Sequence, residues 1–102
     1  MKKLGFIGVG NMGEAVLKGV ISSQKVAKEN IFVRNSSNDS TEKVAERNGV
    51  QAANSSKDLA RECDVVFLGV KPYLVASVLE EIKVELEGKT VISMAAAVEI
   101  KI

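Results

Sequence analysis

Residues 5 to 15 read GFIGVGNMGEA. Gly8, Gly10 and Gly13 fit the spacing G-x-G-x-x-G, a weak signal by itself in a chain with 8 glycines. The flanks decide the reading. Leu4-Gly5-Phe6-Ile7-Gly8 is a short apolar run ending in glycine, which predicts a buried strand. Beyond the loop, Met12, Ala15, Val16, Gly19 and Val20 recur at three- and four-residue spacing, which predicts an amphipathic helix. A glycine loop that closes a strand and opens a helix is the setting in which such a motif binds a dinucleotide. Gly8 then permits the tight turn, Gly10 lets the backbone approach a pyrophosphate, and Gly13 lets the helix pack closely on the strand. The pyrophosphate would rest on free N–H groups at the helix start, where the macrodipole favours negative charge. The alternative is a glycine turn with no ligand.

Outward from the loop, apolar runs alternate with helical patterns. Ile31-Phe32-Val33 predicts a second strand, Val50 to Ala53 a third, Val65 to Val70 a fourth and Thr90 to Met94 a fifth. Helices are predicted over Thr41 to Asn48, with Gly49 as its C-terminal stop, and over Ser56 to Glu62. A further helix is predicted over Leu74 to Leu86, with Leu74, Val75, Val78, Leu79, Ile82 and Leu86 at helical spacing. Strands without apolar/polar alternation are buried on both faces, as in a parallel sheet. Right-handed crossovers then give an α/β, Rossmann-type doubly wound parallel sheet. Five strands in the order 3-2-1-4-5 are expected, with helices on both faces.

The type of dinucleotide is read at the end of the second strand. An NAD site carries Asp or Glu there for the ribose 2′-OH. Here the chain reads Arg34-Asn35-Ser36-Ser37, with no carboxylate before Asp39. Arg34 can pair bidentately with a phosphate, and Asn35, Ser36 and Ser37 offer neutral donors. NADP is favoured, with NADPH preferred over NADH. The competing reading has residues 35 to 39 turn the chain and cap the next helix. Val70-Lys71-Pro72 ends the fourth strand on the side that faces the ligand crevice. Pro72 suits the first turn of the following helix. Lys71 is read as a phosphate or nicotinamide contact, or as a solvated loop lysine. Met94-Ala95-Ala96-Ala97 ends the fifth strand with small side chains that admit a ligand to the backbone, or that simply pack.

The totals bound the rest. At 102 residues and a net charge of +1 the chain is expected to be one small domain without a nucleic-acid or membrane partner. Phe6, Phe32, Phe67 and Tyr73 are its only aromatic residues, too few for base-stacking platforms. Cys63 is the single cysteine and histidine is absent, so a Cys/His zinc site is excluded and a cytoplasmic location is expected. Cys63 is read as a small buried residue, because no histidine exists to activate it. Glu14, in the first turn of the first helix, is read as a solvated acid favourable to the dipole. Met-Lys-Lys resembles the start of a signal peptide, but glycines break the short apolar run behind it, so that reading is rejected.

GFIGVGNMGEA, VVFLGVKP at 65–72 and VISMAAAVEI at 91–100 together resemble the pyrroline-5-carboxylate reductases, in order and over the whole chain. That family transfers hydride from NAD(P)H to 1-pyrroline-5-carboxylate to make L-proline. The resemblance implies cofactor contacts from Gly8, Val9, Gly10, Asn11, Met12 and Gly13. It implies others from Arg34, Asn35, Ser36 and Ser37, from Val70, Lys71 and Pro72, and from Met94, Ala95 and Ala96. Ser56 stands where the family commonly has a cofactor-contacting asparagine; it keeps a hydroxyl, and Asn54 is close by. Ala97 stands where the family usually has glycine. The family continues into a helical dimerisation domain that closes the imino-acid pocket. Residues 1–102 are therefore expected to be the NADP-binding domain alone, with no catalytic residue and no metal. The parent protein is expected to be a homo-oligomer that meets its imino-acid substrate only with the further domain. Two other readings are a stand-alone NADP-binding module and the cofactor domain of a β-hydroxyacid-type dehydrogenase, which shares a similar glycine start.

Overall fold

In the computed structural model, which describes residues 2–94 and 98–100, the strand that precedes the glycine loop lies at the centre of the sheet. This strand, β1 (Leu4–Ile7), pairs in parallel with β2 (Ile31–Arg34) on one side and β4 (Val65–Leu68) on the other. β3 (Gln51–Ala52) extends the sheet beyond β2, and β5 (Thr90–Ser93) extends it beyond β4, both parallel. The expected order 3-2-1-4-5 is therefore present. A sixth strand, β6 (Val98–Ile100), was not expected, and it pairs antiparallel with β5. Residues 94 to 97 leave no length for a crossover helix, so a strand pairing directly after β5 must run back along it.

Side chains alternate to the two faces, and each face has its own core. Phe6, Leu17, Ile31, Val33 and Val44 are buried between the sheet and two helices, α1 (Asn11–Ser23) and α2 (Asn38–Asn48). Ile7, Leu59, Val66, Leu68, Ile82 and Val91 are buried on the opposite face, under α3 (Ser56–Glu62) and α4 (Pro72–Ile82). Helices thus cover both faces, which is why the strands read as continuous apolar runs. Phe6 stands opposite Phe67 in the β1/β4 register, and their rings stack with centroids 4.7 Å apart. On the other face Gly5 leaves room for α3, since a Cβ there would run into the Leu59 side chain and approach the Cys63 sulfur to 2.9 Å.

Helix ends depart from the sequence reading for local reasons. α2 begins at Asn38, earlier than the apolar pattern suggests, because Ser37 Oγ accepts the Ser40 N–H at 3.1 Å and caps it. It stops at Gly49, whose φ of 70° is the left-handed conformation expected of a glycine stop. α4 starts at Pro72 and ends at Ile82, short of Leu86. Leu86 is still fully buried, carried inward by the turn that leads to Gly88. Lys89 Nζ donates to the carbonyls of Ala60 at 2.5 Å and Arg61 at 2.6 Å, satisfying oxygens at the end of α3. Cys63 is fully buried beside it, and burial pushes its thiol up to about 12. No helix among the described residues is long and apolar enough to cross a membrane.

Candidate functional site

In a parallel sheet whose strand order reverses between β1 and β4, a crevice opens at the carboxyl ends of those strands. Here it is a groove of about 510 Å³. Its floor is made by two turns pressed together. Gly8, at φ 81°, donates its N–H to the Arg34 carbonyl at 2.8 Å, and Gly69 donates to the Ile7 carbonyl at 2.7 Å. A Cβ on Gly69 would strike the Gly8 carbonyl, and one on Gly8 would sit 2.9 Å from the Val70 nitrogen. Both turns need glycine for the protein's own packing. Gly13 serves similarly, since its Cβ would lie 3.1 Å from the Gly8 carbonyl oxygen as α1 leaves the loop.

Gly10 is different. It holds an ordinary extended conformation (φ −92°, ψ −158°), and a Cβ built on it meets nothing within 4 Å. Neither strain nor packing asks for glycine there, yet Gly10 lines the groove. It also stands at the N-cap of α1, where, having no side chain, it makes no cap hydrogen bond. By contrast α2 and α3 are capped by Ser37 and Ser55. A helix start left without a cap beside open space is a place for an anion.

The groove walls bring together Gly8, Val9, Gly10, Arg34, Asn35, Ser36, Ser56, Val70 and Lys71 from the residues singled out by sequence. Arg34 and Lys71 are the charged side chains of the wall, both cations. Arg34 donates through one guanidinium nitrogen to Asn38 Oδ1 at 2.7 Å and to the Ala53 carbonyl at 3.3 Å. That tether orients the fork and leaves further N–H groups for a ligand. Asn35 turns inward, accepting the Val9 N–H and donating to the Val9 carbonyl and Ser40 Oγ.

Other candidates fall elsewhere. Ser37 is spent on the α2 cap, Pro72 opens α4, and Gly13 serves packing. The Met94 side chain lies against Gly69 and Gly13. Asn11 and Met12 form the first turn of α1. Asn54 lines a separate cavity beside Phe32 and Asp58 and does not line the groove. Ala95, Ala96 and Ala97 lie outside the described residues. Sequence reasoning passed over Gly69, Ser40, Leu74 and Val78, which also line the groove. The glycine inside VVFLGV was the available signal for the first of these; the others lie on helix faces that a one-dimensional pattern assigns to the core or to solvent.

Glu14 corrects its reading as a solvated acid. Its carboxylate accepts both arms of the Arg47 guanidinium at 2.8 Å and the Asn48 amide at 2.8 Å. The side chain is only 17% exposed, and these donors hold its carboxyl down to about 2.

A parallel sheet ordered 3-2-1-4-5, with a glycine loop at the end of β1 and a cationic groove at the β1/β4 switch point, is a Rossmann-type domain. Residues 3–97 match the family described as NADP oxidoreductase, coenzyme F420-dependent, and the chain belongs to that family. It is 41% identical over 98 residues to the pyrroline-5-carboxylate reductase of Escherichia coli (strain K12), covering 95% of this chain and 36% of that protein. Among solved structures it is similar to Plasmodium falciparum pyrroline carboxylate reductase with NADP bound, at 37% identity and a TM-score of 0.78, over 90% of this chain and 32% of that one. A pyrroline-5-carboxylate reductase from Coxiella burnetii gives a TM-score of 0.80 at 34% identity, over 90% of this chain and 34% of that one. The chain spans about a third of the length of these relatives.

Proposed function

We propose that residues 1–102 form the NADP-binding domain of a pyrroline-5-carboxylate reductase, which reduces 1-pyrroline-5-carboxylate to L-proline in proline biosynthesis. The observation that carries the reading is Gly10, a glycine without an internal reason, set at an uncapped helix start in a cationic groove. Its missing Cβ is the space a pyrophosphate would take. The N–H groups of the first turn of α1 would hold that pyrophosphate, as would the backbone of Val9 and Gly10. Arg34 and Ser36 would hold a 2′-phosphate, the fork of Arg34 supplying charge and Ser36 a neutral donor. Val70, Leu74 and Val78 would give one side of the ligand an apolar wall. Bound there, NADPH supplies the hydride. The imino-acid pocket is assigned to a further part of the parent protein, since the chain spans about a third of its relatives' length. The cytoplasmic setting and the homo-oligomeric parent belong to the same proposal.

Calorimetric titration with NADPH and NADH tests it. The chain is expected to bind NADPH more tightly. Gly10→Val is expected to abolish binding of both cofactors while the chain still folds, because a Cβ there meets nothing within 4 Å and the residue caps only one helix. Undiminished binding in that variant would remove the glycine loop from the site.

A further inference from the structure

We propose that Asn35 is a positioning residue that sets the glycine loop, and not a contact for the 2′-phosphate; the inference rests on the groove being the dinucleotide site. Val9 lies between Gly8 and Gly10, two residues with wide backbone freedom. Its side chain is buried in the core with Phe6. Its backbone is gripped by Asn35 at both polar atoms. The Val9 N–H donates to Asn35 Oδ1 at 2.5 Å, and Asn35 Nδ2 donates to the Val9 carbonyl at 3.3 Å. The second Nδ2 hydrogen goes to Ser40 Oγ at 2.8 Å. A side-chain amide has two N–H donors, and both are committed, so none is left for a phosphate.

The strut is itself held. The Asn35 backbone N–H donates to Thr41 Oγ1 at 2.8 Å, and that hydroxyl donates to the Ser37 carbonyl at 2.7 Å. Thr41 is 1% exposed. The start of α2 thus fixes the Asn35 backbone, the side chain of Asn35 fixes the Val9 peptide units, and these aim the next N–H groups of the loop. Arg34, which reads the extra phosphate of NADPH, and Asn35, its neighbour in sequence, therefore have separate duties. One discriminates between cofactors; the other serves whatever pyrophosphate arrives.

The test compares Asn35→Ala with the unaltered chain by titration with NADPH and NADH, and by hydrogen exchange at the Val9 amide without cofactor. A positioning role is expected to weaken both cofactors by the same factor, roughly tenfold, the scale of a lost hydrogen bond. It is also expected to unprotect Val9. A loss confined to NADPH would make Asn35 a direct phosphate contact and overturn the proposal, as would a Val9 amide that exchanges as slowly as before. Asn35→Gln keeps the amide but sets it one methylene out of place for the Val9 pair, and is expected to weaken both cofactors by the same factor; this variant carries the test if the alanine variant does not fold, and a loss confined to NADPH in it would overturn the proposal. If the unaltered chain binds neither cofactor, the dinucleotide reading falls, and the Val9 exchange still decides whether Asn35 holds the loop.

Discussion

At the scale of single residues, glycines that look alike in the sequence do unlike work. Gly5 makes room for α3, Gly8 and Gly69 make room for each other, and Gly10 makes room for nothing in the protein. The first of these gives a stability prediction. Gly5→Ala forces a methyl against Leu59 and Cys63, both fully buried, so chemical denaturation is expected to read a loss of about 1–3 kcal/mol. Arg34 gives a specificity prediction. Arg34→Ala is expected to weaken NADPH severalfold or more and NADH little, since only NADPH carries the 2′-phosphate; equal losses in titration would take the cofactor preference away from this side chain. The glycine spacing and the Arg34 loop were legible because each depends on residue type at a fixed distance from a strand end. The inward turn of Asn35 was not, because donors to a phosphate and donors to a neighbouring loop read identically in one dimension.

Elements meet through a few polar ties, and the one between α1 and α2 gives a pH prediction. Glu14 on α1 grips Arg47 and Asn48 near the end of α2. Its carboxyl is lowered from an ordinary 4.5 to about 2, first by the hydrogen bond from Arg47 and then by that from Asn48. A depressed carboxyl stabilises the fold above its unfolded value and loses that contribution as acid protonates it. Stability is therefore expected to decline as the pH falls from about 4.5 to about 2. Glu14→Gln is expected to flatten that part of the curve in thermal melts taken across the window; an unchanged slope would mean the brace contributes nothing. Helix existence was legible from apolar spacing, and helix ends less so. Ser37 starts α2 before any apolar residue announces it, and Leu86 keeps the helical rhythm while lying in a turn. Periodicity records which side chains are inward, and an inward side chain can sit on a helix or on the turn after it.

For the molecule as a whole, the parallel order was legible because unbroken apolar runs demand cover on both faces, and crossover handedness then leaves few topologies. β6 was not, since three residues, VEI, carry too little pattern to separate a strand from a tail. The groove was legible at its strand ends, Gly69 excepted, and invisible where the faces of α2 and α4 complete it, at Ser40, Leu74 and Val78.

The contact between Gly8 and Gly69 has a consequence for how such a domain changes over generations. The two turns meet with the Gly8 carbonyl against Gly69, and the Val70 and Met94 side chains pack alongside. The gauge of the cleft is thereby set by two glycines that admit no side chain, while Arg34 and Ser36 stand at its lip, away from that contact. On the proposed reading, exchanging Arg34 or Ser36 is expected to retune which dinucleotide is preferred while leaving the Gly8–Gly69 contact in place. If that expectation holds, a lineage could revise its choice of reductant at the lip without altering the glycine contact beneath it.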